Sequence, residues 1–382
     1  MKKINICIDY NKRKPLLKWH NDRYTNNFFK DNRFSLIQWK DFRLGDNNFL
    51  FLYCVPDETM EFLVSMGIDF YETIKKKNIK ILFQNEQFNL FMFDGNIFEN
   101  VPHIKYHCYD INEILYWKIT NFFRKYNIGE ENLFFVHSAK GFLDEIKQMQ
   151  IKKIKWIDST LNLKSKHIQL NSNLMWGSEQ VVEVVNKIQH HYACLFAGRP
   201  SLHRHDLIKK LWKKKLLNFG RCSLSHYNTD DVKFAKLSLP PIGKVNSHTA
   251  QAPYEESDVF QNIFLWIAGE TYCANGYPYF TEKTVKAILY ERPFISFGNT
   301  GTLTYLKDFG FKTFSAYWDE SYDNEKNDVK KIEMIANVIQ GICEKNLLDI
   351  NRMYNDMKPI LEHNKNLLVN TDWRKELVTF LS

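Results

Sequence analysis

Short apolar runs alternate with amphipathic stretches along most of the chain. Ile4 to Ile8, Phe49 to Val55, Ile79 to Phe83, Ile104 to Cys108, Asn132 to Val136 and Lys153 to Ile157 read as strands. Helical spacing fills Glu58 to Lys77, Ile111 to Tyr126 and Lys140 to Gln150. Strands this apolar are covered on both faces, which predicts a parallel sheet between layers of helix. After Leu170 the alternation restarts, with a helix over Ser178 to Gln189, a strand over Tyr192 to Phe196, a helix over Ser201 to Leu216 and a strand near Leu217 to Cys222. A polar stretch, Asn228 to Ser257, holds Pro240-Pro241, Gly243 and Pro253 and reads as a loop; alternation resumes at Val259. Helices over Lys330 to Lys345 and Leu347 to Leu381 close the chain and are expected to pack partly back across the first domain.

The densest information lies in Phe280 to Gly301. Thr281 is placed to cap a helix that turns Val285, Ile288 and Leu289 inward. Arg292-Pro293 ends that helix, Phe294 to Phe297 forms a strand, and Gly298 and Gly301 turn the chain. A second helix follows from Leu303 to Phe309, with Gly310 in the place of a left-handed cap. The first helix offers its amides and partial positive charge to an anion, and Lys283 adds a formal charge.

At 382 residues the chain suits two domains rather than one core. No apolar run approaches a membrane span, and the N-terminal Met-Lys-Lys-Ile-Asn-Ile reads as a first strand rather than a signal peptide, so a cytoplasmic protein is expected, in the host cytoplasm if viral. The 7 cysteines are scattered without a Cys-x-x-Cys pair, which argues against a disulfide framework or a zinc knuckle. The net charge of +8 favours anionic partners. It is concentrated at Lys75 to Lys80, Lys147 to Lys155 and Lys209 to Lys215, which read either as solvated faces or as a cleft for a polyanion such as DNA.

Glu270-Thr271, Tyr279 to Lys283 and Arg292 to Ile295 resemble the donor-binding segment of the α-1,3 fucosyltransferases. That family carries a Glu-Asn-Ser ahead of a Tyr-hydrophobe-Thr-Glu-Lys, then an apolar strand and a glycine. From Thr281 through Phe314 the chain is also similar to glycosyltransferases of large phages, which share the Gly301-Thr-Leu303, Tyr305-Leu306 and Gly310 to Phe314 elements. Glu270 is followed here by Thr-Tyr rather than Asn-Ser.

The resemblance implies an α/β protein of GT-B architecture, two Rossmann-like domains facing a central cleft. The expected boundaries are 1–170 for an acceptor-side domain, 171–345 for a nucleotide-sugar domain and 346–382 for closing helices. It implies a GDP-sugar donor and inversion at the anomeric carbon, with a glycan or a modified base of phage DNA as acceptor. The chain holds no Asp-x-Asp, so no metal or other cofactor is expected and cationic side chains would neutralise the diphosphate.

Expected donor contacts are Lys283 for phosphate, Glu282 and Glu270 for ribose or sugar, Arg199 or Arg204 beyond the strand ending at Phe196, and Thr281, Asn299 and Thr300 at the turns. An inverting transfer also needs a base to take the acceptor proton. Glu86, Asp57, Glu58 and His137, each after a first-domain strand, are the candidates. His190-His191 and His203-x-His205 lack a third ligand at metal spacing and read as structural. A binding module that keeps the fold without catalysis stays open, although Glu270, Lys283 and Arg199 would be unneeded charges in a dead pocket.

Overall fold

The computed structural model describes residues 3–7, 29, 31–44, 48–53, 63–85, 115–137, 166–196, 201–224, 257–274 and 278–382. The chain divides into two compact units, Met1–Met175 with Asp372–Ser382, and Trp176–Thr371. The segment 346–382 is thus divided between them.

The first unit is built on a parallel sheet in the order β2-β1-β3-β4-β5-β6. Its strands are β1 (Ile4–Cys7), β2 (Phe34–Ile37), β3 (Asn48–Tyr53), β4 (Lys80–Asn85), β5 (Leu133–His137) and β6 (Lys166–Gln169). Period-two alternation sends the apolar residues to two separate cores. Leu50, Leu52, Ile81, Phe83, Leu133 and Phe135 face α1 (Ile68–Lys76) and α2 (Leu115–Lys125), meeting Tyr71, Ile74 and Phe123. Phe49, Phe51, Leu82, Phe134 and Val136 face the other way, where Leu377, Val378 and Leu381 cover them.

Those covering residues belong to the C-terminal helix, so the expected return of the chain to its first domain is made by its final turns. A bidentate ion pair of Arg33 with Asp372, at 2.8 and 2.9 Å, holds the start of the returning segment. Burial of each aliphatic side chain on this face is worth ~2 kcal/mol, more than the half-exposed ion pair contributes.

Two expected helices are shorter than their periodicity suggests. Of the helix expected over Glu58 to Lys77, residues 58–62 lie outside the described residues, 63–65 are helical, and Gly67, with extended backbone, separates them from α1, which starts at Ile68. Leu347 to Leu381 is interrupted where Thr371 turns extended.

The second unit carries a parallel sheet in the order β10-β9-β7-β8. Its strands are β7 (His190–Phe196), β8 (Gly220–Leu224), β9 (Ile263–Ala274) and β10 (Phe294–Asn299). The helices from the end of the first unit onward are α3 (Ser172–Ser178), α4 (Leu202–Lys213), α5 (Ser257–Asn262), α6 (Glu282–Leu289), α7 (Thr302–Asp308), α8 (Asp328–Cys343), α9 (Leu347–Asn370) and α10 (Lys375–Leu381). Gly310 has φ +90°, the left-handed cap expected from sequence.

The helix expected over Ser178 to Gln189 is absent: α3 ends at Ser178, and residues 181–189 form an irregular lead into β7. Its backbone groups find partners outside a helix. Lys187 and Gln189 donate to the carbonyls of Gln261 and Asn262, each at 2.9 Å. The Arg292 guanidinium donates to Val185 O at 2.6 Å and Asn186 Oδ1 at 3.4 Å, and lies 5.0 Å from the centre of the Tyr354 ring. Arg292 is 1% exposed, so this residue, just beyond the Tyr290 cap of α6, fastens the lead segment to α9.

Arg292→Ala should therefore lower the unfolding free energy by about 3 kcal/mol, since a buried carbonyl loses its charged donor and a cavity opens. Urea unfolding, with exposed Arg352→Ala as control, measures this. Equal losses in the two variants would refute the clamp.

Candidate functional site at the carboxyl edge of the second sheet

Strand β8 lies on one side of β7 and β9 on the other. The connections leaving the carboxyl ends of β7 and β9 therefore diverge, and such a switch point is where open α/β sheets bind ligands. Helices α4, α6 and α7 begin at this edge, after β7, β9 and β10 respectively.

Glu270, on β9, is 1% exposed. Its carboxylate accepts from Thr281 N at 3.1 Å, from the Thr284 hydroxyl at 2.8 Å and from the Thr281 hydroxyl. Thr281 in turn caps α6, its Oγ1 accepting from Lys283 N at 3.3 Å. Burial pushes the Glu270 carboxyl pKa up, opposed by the nearby Lys283 charge and the Thr281 hydrogen bonds. A carboxylate of the chain thus lies behind the start of α6, where the sequence suggested an anion site, and bonds to its cap residue and to the Thr284 hydroxyl.

The start of α7 repeats the device. Gly301, at φ +81°, turns the chain into the helix, and both oxygens of Asp323 accept from Leu303 N, at 3.2 and 3.1 Å. Asn299 ends β10, and its carbonyl accepts from the Thr302 hydroxyl at 2.7 Å. The Thr300 hydroxyl donates to Glu325 O at 3.2 Å.

The cations are disposed differently from expectation. Arg204 is buried, with Nη2 donating to Gly269 O at 2.7 Å and Glu270 O at 2.9 Å and its guanidinium 5.8 Å from the centre of the Phe196 ring. It ties α4 to the end of β9. Gly269 is required there, because a Cβ would stand 2.4 Å from the Phe196 ring. Lys283, 27% exposed, lies 2.7 Å from Glu282 Oε1 and 3.2 Å from Thr281 Oγ1. Lys331, 1% exposed, donates to Gly298 O at 3.0 Å.

Asp323 and Lys331 escaped the sequence reading. Asp323 lies far along the chain from the helix it caps and leaves no local signal. Lys331 left one: it stands on the buried stripe of α8 with Ile335 and Ile339. A lysine at that spacing is a core position held by a cation.

His203 was read as structural, and its Nε2 lies 3.0 Å from Glu270 O with its ring edge-on to Phe297 at 5.0 Å. A carbonyl only accepts, so Nε2 carries the proton. Burial, then the Arg204 charge and, more weakly, Lys331, depress its pKa to about 3, with the Glu270 carbonyl acting the other way. His191 Nε2 is likewise 2.8 Å from Lys345 O, and His205 Nδ1 is 3.3 Å from Asp206. Among the described residues no group of His, Cys, Asp and Glu has the arrangement of a metal site.

The remaining expectations divide between the units. Arg199, Asp57, Glu58 and Glu86 lie outside the described residues. His137 is the last residue of β5, paired in register with Asn85. Strands β3, β4 and β5 are adjacent and parallel, so all three end at one edge of the sheet.

Much of the basic charge is committed. Lys75 pairs with Glu72 at 2.6 Å, Lys77 donates to Phe42 O at 2.6 Å, and Lys80 lies 5.3 Å from the Phe49 ring centre. Lys210 pairs with Glu333, and Lys214 lies 3.3 Å from the same carboxylate. Lys147 to Lys155 lie outside the described residues. Among the described residues no helix is long and apolar enough to cross a membrane.

These observations define an α/β protein of two parallel-sheet units, the second with a polar ligand-type edge at its switch point. No family model matches the chain, and no curated protein matches it. Among solved structures, the DNA-modifying enzyme β-glucosyltransferase, determined with and without its substrate uridine diphosphoglucose, aligns with 100% of this chain and 99% of its own. The sequence identity is 10% and the TM-score 0.49. T4 phage BGT in complex with UDP-glucose aligns over 100% of both chains at 10% identity and a TM-score of 0.43. Likeness at this level assigns no residue and no substrate.

The neutral His203 ring makes a pH prediction. An unfolded histidine binds its proton near pH 6.5, the folded one only near 3, so the unfolded chain holds more protons between these values. Stability from this group is complete above pH 6.5 and is lost as pH falls toward 3. Glu270, with its raised pKa, works with the opposite sign and is common to both proteins compared. His203→Gln keeps a donor toward Glu270 O but cannot be protonated, and should lose less stability than wild type across that window. Urea unfolding at a series of pH values tests it; parallel losses would remove His203 as the source.

Proposed function

We propose that the chain is a glycosyltransferase of GT-B type, moving a sugar from a nucleoside-diphosphate donor to an acceptor hydroxyl. The observation that carries this reading is the folding of the Glu270 to Phe314 segment. Its Thr281-Glu282-Lys283 opens a helix directly beside the carboxyl edge of a parallel sheet, with Glu270 locked behind it. That placement suits a segment which resembles donor-binding sequence. It leaves Lys283 as the partly exposed cation of the helix start, able to leave Glu282 for a phosphate.

The finer terms rest on the sequence resemblance. It favours a GDP-linked sugar and inversion, with Lys283 and Arg199 in place of a metal. A base from Asp57, Glu86 or His137 would take the acceptor proton. The acceptor is a glycan or a hydroxyl-bearing base of modified phage DNA. The β-glucosyltransferases act on DNA with uridine diphosphoglucose, so UDP belongs beside GDP in any test.

Melting temperature measured with UDP, GDP, ADP, dTDP and CMP, without metal and then with Mg²⁺, tests the donor site. A ligand at ~100 times its Kd should stabilise by about 2.7 kcal/mol. The expected result is a selective shift that Mg²⁺ leaves unchanged and Lys283→Ala weakens by about tenfold in affinity, the size of a lost charged hydrogen bond. Absence of a shift with every nucleotide would sink the transferase reading. With a donor found, mass change of duplex DNA bearing hydroxymethylated bases, compared with unmodified duplex and with glycans, decides the acceptor.

A further inference from the structure

His203 is more than a packed histidine. It stands in the first turn of α4, one residue before Arg204 and at the switch point of the second sheet. Nε2 is fixed by Glu270 O at 3.0 Å, and the ring is braced edge-on by Phe297. The orientation and tautomer are therefore both set by the sheet. The other nitrogen, Nδ1, has no hydrogen-bond partner among the described residues, and the residue is only half-buried.

A neutral imidazole whose Nε2 is the donor leaves Nδ1 as an acceptor and nothing else. An acceptor does not bind a phosphate oxygen, which is itself an acceptor. It binds a group that brings its own hydrogen. Burial first, then the charges of Arg204 from α4 and Lys331 from α8, favour the unprotonated ring, while the Glu270 carboxyl from β9 is turned to Thr281 and Thr284. Diphosphate and hydroxyl are thereby given separate partners at one edge.

We propose that His203 Nδ1 accepts a hydrogen bond from a hydroxyl of the bound nucleotide sugar and selects for ligands that carry it. The inference rests on the donor-site reading above. The hydroxyl has two sources, the ribose and the transferred sugar, and the ligands tested separate them.

Calorimetric titration of the full chain uses UDP and GDP, their 2′-deoxy counterparts, and UDP-glucose and GDP-mannose. It is repeated with His203→Gln, which keeps a donor toward Glu270 O but lacks the acceptor, and with His203→Asn, whose side-chain oxygen replaces Nδ1. The expected result is binding weakened about fivefold to tenfold by Gln and largely restored by Asn. If the ribose is the source, Gln makes no difference for the 2′-deoxy ligand. If the sugar is the source, Gln weakens only the nucleotide sugars. Unchanged affinity of His203→Gln for every ligand overturns the proposal while leaving the donor site standing. Failure of the wild-type chain to bind any of these ligands removes both. Should His203→Gln not fold, the wild-type chain decides alone: equal affinity with and without each hydroxyl overturns the proposal.

Discussion

Burial of the Glu270 carboxylate is the constraint on which the second unit depends. A carboxylate removed from water needs hydrogen bonds to replace its hydration, and here Thr281 and Thr284 supply them from the first turn of α6. The same residue's carbonyl receives Arg204 and His203 from α4. One position on β9 thus fixes the starts of two helices against the sheet, one through its side chain and the other through its backbone. Substituting it would remove the carboxylate's bonds to Thr281 and Thr284 while leaving the carbonyl that receives α4.

Asp323 does for α7 what Glu270 does for α6. Each is pushed toward the protonated form by burial; the opposing pull comes chiefly from the Lys283 charge and the Thr281 hydroxyl for Glu270, and from the Leu303 amide for Asp323. Helix N-termini at such an edge commonly present free amides to an anion. Here Asp323 accepts from the Leu303 amide in the first turn of α7, and Glu270 from the Thr281 amide and two hydroxyls at the start of α6. On the proposed reading, Lys283 is the side chain at the start of α6 left to meet a phosphate.

How far this was legible in the sequence follows the range of the interactions. Thr281 as cap, the strand at Phe294 and the left-handed Gly310 are local matters, decided within a few residues, and each lies where the pattern put it. The parallel sheets followed from apolar runs too continuous for a half-exposed strand. Ser178 to Gln189 was misread because helical spacing says nothing of Arg292, which claims a carbonyl of that segment from more than 100 residues away. Arg204 looked like a ligand because it is basic and follows a strand. Whether such an arginine points to solvent or to a carbonyl depends on the neighbouring strand, and Gly269 was the quiet sign that the neighbour comes close.

The charges at the edge are arranged in a way that bears on how it recognises anything. Arg204 and Lys331 direct hydrogen bonds to main-chain carbonyls, while Glu270 and Asp323 accept from amides and, for Glu270, hydroxyls. Backbone dipoles thus help to solvate these buried ions. After burial, the charges of Arg204 and, more weakly, Lys331 lower the pKa of His203. Among the described residues, Lys283, Arg204 and Lys331 stand at this edge with Glu270, Glu282 and Asp323. Selection there depends on where each charge and acceptor is fixed, and the rigid, carbonyl-anchored geometry supplies that placement.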